Sequence, residues 1–163
     1  MPLTPRTLLL ALATLLAASR GARAQCSGGN TNLLLNMTVT PTALNMGTAT
    51  TAQFNAGSAQ SSYSVTVNNS FLPIRWYLCT QATSANMGTV NGFTKPIADL
   101  QWSLNGTTWT SYVNGSLQPI TNATSTQTVT VFVRVLLAYP NDRPQANNTA
   151  ATYTGNVAFR VSR

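Results

Sequence analysis

The chain has 163 residues, with nine Lys and Arg against two Asp, and it contains neither His nor Glu. That inventory removes the usual general base and metal ligand, the Ser-His and Cys-His nucleophile pairs, and most routes to a two-carboxylate hydrolytic site. With 44% hydrophobic and only 7% charged residues, the chain has the material for a buried core rather than for a disordered tail.

The first 24 residues read as a signal peptide. Arg6 supplies a basic start, and Thr7 to Ala18 form an apolar run shorter than a bilayer span. Ala22-Arg23-Ala24 then fits the small-x-small cleavage rule, which leaves Gln25 as the first mature residue. Without Arg6, Arg20 and Arg23, six cations and two acids remain, a net charge of +4. The six are Arg75, Lys95, Arg134, Arg143, Arg160 and Arg163. They are scattered, with no basic run and no aromatic-interleaved basic stripe, which argues against nucleic acid as a partner. Nothing in the mature chain is long and apolar enough to span a membrane.

Residues 25–32, rich in Gly and Asn, read as a flexible N-terminal segment, followed by one domain over 33–163. The two cysteines, Cys26 and Cys79, are expected to form a disulfide in an oxidising compartment. The closed loop would span 53 positions, worth about 4 kcal/mol in the chain-entropy model. The alternative leaves Cys26 free in a frayed N-terminus.

No segment after the leader reads as helix, and apolar residues recur with period two. Leu33, Leu35, Met37 and Val39 alternate before Pro41, and Tyr63, Val65 and Val67 before Asn68-Asn69. An apolar run over 74–80 follows Pro73. Leu100, Trp102 and Leu104 lead into Asn105-Gly106. Val129, Val131, Val133 and Val135 form the longest run, and Phe132 and Leu136 make its second face apolar as well, as expected of a central strand covered on both sides. A last strand over 151–162 places Tyr153, Gly155, Val157, Phe159 and Val161 on one face. About seven or eight such strands, separated by Asn, Gly and Pro, predict an all-β fold, an antiparallel immunoglobulin-like β-sandwich.

Asn105-Gly106 between alternating segments predicts a two-residue hairpin. In that register Trp102 faces Trp109, with Leu100 and Leu104 on the same side and Gln101, Ser103, Thr108 and Thr110 on the other. An apolar face backed by a polar one turns inward, so Trp102 and Trp109 are expected as a core aromatic pair, not a sugar-stacking platform. Tyr112 and Tyr139 are the aromatics left to face a ligand. Lys95 precedes Pro96 with no Ser partner in view, and Asp99 and Asp142 lie far apart in sequence. Asn141, Asp142, Asn147 and Asn148 offer oxygens, but one carboxylate is little charge for Ca²⁺, and an ordinary polar loop is expected. Sequons at Asn36, Asn68, Asn105, Asn114, Asn122 and Asn147 carry little weight in a chain so rich in Asn, Ser and Thr. No enzymatic site, cofactor or metal is expected.

The leader, two cysteines in the first half, the strand VTVFVRV and the closing ATYTGNVAFRVSR together resemble bacterial surface β-sandwich domains of the spore coat protein U and chaperone–usher pilus-subunit type. The resemblance implies an exported, non-enzymatic structural or adhesive component of a cell-surface assembly, pairing with itself or other surface proteins through an edge strand. Tyr153, Val157, Phe159 and Val161 would line that edge. Pilus subunits of that type carry a donor strand before the first cysteine, where this chain has one mature residue, so the mature chain is expected as a stable monomer. Trp76-Tyr77-Leu78 and Trp102-Ser103-Leu104 also resemble the paired W-x-L motifs of a Gram-positive wall-binding domain, whose second motif lies near the C-terminus rather than mid-chain. The rival reading is a module binding glycan or another envelope ligand.

Overall fold

The computed structural model describes residues 26, 35–69, 74–90, 92–138, 141–142 and 153–163. The leader, Leu33, Tyr139, Asn147 and Asn148 lie outside the described residues. In chain order the elements are β1 (Leu35–Thr40), α1 (Thr51–Ala56), β2 (Ser58–Asn69), β3 (Trp76–Ala82), β4 (Asn86–Val90) and β5 (Phe93–Pro96). A 3-10 turn, Ile97–Asp99, leads to β6 (Leu100–Ser103), β7 (Thr110–Ser111), β8 (Gln118–Ala123), β9 (Gln127–Leu136) and β10 (Val157–Ser162).

The strands pair antiparallel, in a five-stranded sheet ordered β1-β2-β9-β6-β7, a three-stranded sheet ordered β10-β3-β8, and a separate β4-β5 hairpin. Val65, Val67, Val131, Val133, Leu100 and Trp102 from the larger sheet share one core with Trp76, Leu78, Ala82, Ile120 and Val161 from the smaller. Cross-sheet contacts show which strand lies over which. The Tyr63 ring of β2 meets the Phe159 ring of β10 edge-on at 5.3 Å. At the other side Trp102 of β6 donates from Nε1 to Gln118 Oε1 of β8 at 3.1 Å. So β10 lies over β2 and β8 over β6, and among the described residues no strand of the smaller sheet lies above β1.

The period-two readings over Tyr63 to Val67 and Val129 to Val135 hold, since these residues lie on β2 and β9, which are direct neighbours. β9 is central in its sheet, between β2 and β6. It is not covered on both faces, however. Thr128 and Thr130 point outward and are exposed, and Phe132, Arg134 and Leu136 on that face are half-buried.

Two further expectations about the elements need correction. A helix does exist, and its ends explain it. The Thr50 hydroxyl accepts from Gln53 N at 3.2 Å while Gln53 Oε1 accepts from Thr50 N at 2.8 Å, a capping box. Gly57 closes the helix at φ 71°. The last strand also starts late, at Val157. The preceding backbone bonds elsewhere, from Thr154 N to Met87 O at 2.7 Å and from Thr83 N to Asn156 O at 3.0 Å. A Cβ on Gly155 would stand 2.8 Å from Leu100 Cδ2, so this stretch presses against the core instead of extending the ladder. Tyr153 therefore lies before the edge strand, whereas Val157, Phe159 and Val161 lie in it.

Cys26 is buried and bonded to Cys79 of β3, with Cα atoms 6.1 Å apart. The frayed alternative for Cys26 is excluded by that burial. Replacing both cysteines with Ser should lower unfolding free energy by about 2–4 kcal/mol in a denaturant titration. Thiol labelling of the unreduced protein should find neither cysteine reactive, and labelling at both would contradict the bond.

Candidate functional site

The tryptophan hairpin differs from its expected register by one residue. Trp102 pairs with Thr110 and Gln101 with Ser111, so the indoles are not cross-strand partners. The cause is local side-chain chemistry. Asn105 Oδ1 accepts from Thr107 N at 2.9 Å and Thr108 N at 2.8 Å, and Ser103 Oγ accepts from Gly106 N at 3.0 Å. These bonds build a loop over 104–109 in place of a two-residue turn. A slip of one residue moves a side chain to the other face of the sheet. Trp102 is accordingly buried, Leu104 is 43% exposed, and Trp109 lies half-buried on the outer face.

There Trp109 has a partner of a different kind. The Arg134 guanidinium stands 4.3 Å from the Trp109 ring centroid, in cation–π range. Arg134 Nε donates to Gln101 Oε1 at 2.7 Å, and Gln101 Nε2 to Ser111 Oγ at 2.9 Å. The outer face of β6, β7 and β9 thus carries an ordered aromatic and polar row. Tyr112, expected to face a ligand, is instead fully buried, with its hydroxyl 3.1 Å from Thr80 Oγ1. Burial pushes its phenol up to about 12, and the hydrogen bond with Thr80 opposes that rise. Tyr139 lies outside the described residues.

The two sheet edges on one flank form a second feature. Among the described residues β1 bonds only to β2, and β10 only to β3. Leu35, Met37 and Val39 on the inner face of β1, and Val157 and Phe159 of β10, are partly buried against the core. Leu44 and Met46, from the stretch after β1 that forms no strand, are also partly buried against the core.

A third cluster was invisible in sequence. Lys95 of β5, the chain's one lysine, is fully buried, and both of the chain's acids converge on it. Its Nζ lies 2.6 Å from Asp142 Oδ2 and 2.9 Å from Asp99 Oδ2. The Asp142 side chain is 1% exposed and that of Asp99 29%. Asp142 Oδ2 also accepts from Ala138 N at 2.7 Å, while its buried Oδ1 meets no hydrogen-bond donor among the described residues. The rings of Phe93 and Tyr153 flank Nζ, with centroids 6.0 and 5.9 Å away. Burial first, and then the nearby Asp142 carboxylate, push the Tyr153 phenol up. Among the described residues no group of His, Cys, Asp or Glu could hold a metal ion.

No family model, curated protein or solved structure matches the chain.

Two measurements follow from this geometry. Trp102→Ala should cost about 3–5 kcal/mol of stability as a loss from the core. Trp109→Ala should cost clearly less, and equal losses in parallel denaturant titrations would contradict the register. For Tyr112 the folded pKa lies above the unfolded 10.0, so its contribution is intact below pH 10 and is lost as pH rises toward 12. Tyr112→Phe should flatten the fall in stability across that window. An unchanged slope would contradict the burial of the phenol.

Proposed function

We propose that this chain is an exported, non-enzymatic structural or adhesive component of a cell-surface assembly, built on an immunoglobulin-like sandwich. The observation that carries this reading is the seam between β1 and β10. The order β1-β2-β9-β6 in one sheet and β10-β3 in the other follows the A-B-E-D and C-F order of such sandwiches. Among the described residues no strand occupies the place beyond β10. Because β10 lies over β2, that place is above β1, where Leu35, Met37 and Val39 of β1 and Val157 and Phe159 of β10 are only partly buried, while Val161 sits in the core. Free backbone groups along an edge recruit another strand by hydrogen bonding, and alternate apolar residues select it. The disulfide accords with an oxidising compartment, as the signal-peptide reading of residues 1–24 requires.

A second reading, a glycan-binding module, draws on Trp109, Arg134, Gln101 and Ser111. An aromatic face bordered by polar groups is the arrangement a sugar ring stacks on, although Arg134 covers one side of the indole.

The test is photo-crosslinking on cells that make the protein. A photoreactive residue in place of Thr38 on β1 or Arg160 on β10 should give covalent adducts with a second surface chain. The same residue in place of Thr128, on the central strand β9, should give none. Adducts from 128 alone, or none from any position, would contradict assembly through these edges. Binding to purified polysaccharide that is lost with Trp109→Ala and unaffected at the edges would favour the second reading.

A further inference from the structure

We propose that Lys95 Nζ condenses with the side-chain carboxyl of Asp142 to form an intramolecular amide bond, with Asp99 carrying the proton. The chain has one lysine and two acids, and the fold brings all three into one nearly closed site. Separate burial of an ammonium and a carboxylate is costly, and their attraction offsets that only when every remaining donor and acceptor is satisfied. Among the described residues the buried Asp142 Oδ1 and the Tyr153 hydroxyl each lack a hydrogen-bond partner, and the rings of Phe93 and Tyr153 flank Nζ. Condensation removes the Lys95 and Asp142 charges from this buried position and leaves that of the partly exposed Asp99.

The chemistry balances without a co-reactant. Within the ion pair a proton passes from the ammonium to the carboxylate, giving an amine and a carboxylic acid. The nitrogen lone pair attacks Cγ of Asp142, which lies one covalent bond beyond the oxygen that is 2.6 Å from Nζ. Asp99, with Oδ2 2.9 Å from Nζ, takes the proton released by the nitrogen and delivers it to the departing oxygen. The C–N bond forms, a C–O bond breaks, and one water leaves. Fixed geometry substitutes for activation by making the attack intramolecular. Exclusion of bulk water then protects the product from hydrolysis.

Geometry also decides which acid is consumed. Asp142 is the closer and the more deeply buried, and it lies 47 positions from Lys95 in sequence. Asp99 follows Lys95 by four positions and is 29% exposed, so it can exchange protons with solvent. The amide to Asp142 would tie the end of β5 to the segment after β9, a second covalent staple independent of the one through Cys79.

Mass spectrometry of the full chain tests this directly. Trypsin does not cut before Pro96 or Pro144, so Lys95 stays within 76–134 and Asp142 within 135–160. After reduction, these two peptides should be recovered joined, as one species lighter than their sum by one water. Separate peptides of full mass overturn the proposal. A 76–134 peptide that is one water light by itself would place the bond at Asp99 and overturn the assignment of Asp142. Asp99→Asn, with its fold checked by circular dichroism, should form the joined species about a hundredfold more slowly. An unchanged rate in that variant would remove Asp99 as proton carrier.

Discussion

β3 is the strand on which the rest of the structure depends. In the smaller sheet both β10 and β8 bond to it and not to each other. Its residues Trp76, Leu78, Cys79, Thr80 and Ala82 are buried together. Trp76 fills the core and still satisfies its one donor, with Nε1 reaching Ser125 O at 2.8 Å. Cys79 anchors the N-terminal segment through the disulfide, and Thr80 joins the Tyr112 phenol to the carbonyl of Ala158 on β10. Without this strand the larger sheet would have an apolar face and nothing to bury it against.

The mismatch between a five-stranded and a three-stranded layer follows from that dependence. A sheet built outward from one strand reaches one neighbour on each side, β10 and β8, while the β2-β9 ladder supports additional strands at both ends. β7 is held at its end through Gln118, whose Nε2 donates to Ser111 O at 2.9 Å. Leu44 and Met46, from the segment that leads into α1, are partly buried against the same core as the inner face of β1. Among the described residues, specific polar bonds close the β7 flank, whereas partly buried apolar residues line the β1 flank. This asymmetry underlies the proposed role in assembly.

Much of the sheet was legible from alternation alone. Val65 and Val67, and Val129 to Val135, announce their strands because period two and burial on one face are the same constraint. The helix was legible in principle, in Thr50 and Gln53 three residues apart and Gly57 beyond, but so short a segment has no room for a 3.6-residue period to show. Trp109 was misplaced because the side chains of Ser103 and Asn105 compete with the ladder for backbone groups, and one residue of loop reverses a face. Tyr112 could not be told from an exposed tyrosine, since the Thr80 hydroxyl that meets its phenol lies 32 positions away. The Lys95, Asp99 and Asp142 cluster was illegible for the same reason, as tertiary folding brings Asp142 to Lys95 across 47 positions.

Native-state hydrogen exchange tests the central dependence on β3 most directly. If β3 holds the smaller sheet and closes the shared core, the bonded amides of Leu78 and Thr80 should exchange only with global unfolding. They should then share one opening free energy with Val131 and Val133 of β9, while β1 opens at lower energy. Exchange of the β3 amides through a smaller opening, with β9 still protected, would show that the larger sheet stands without its partner and would contradict the account.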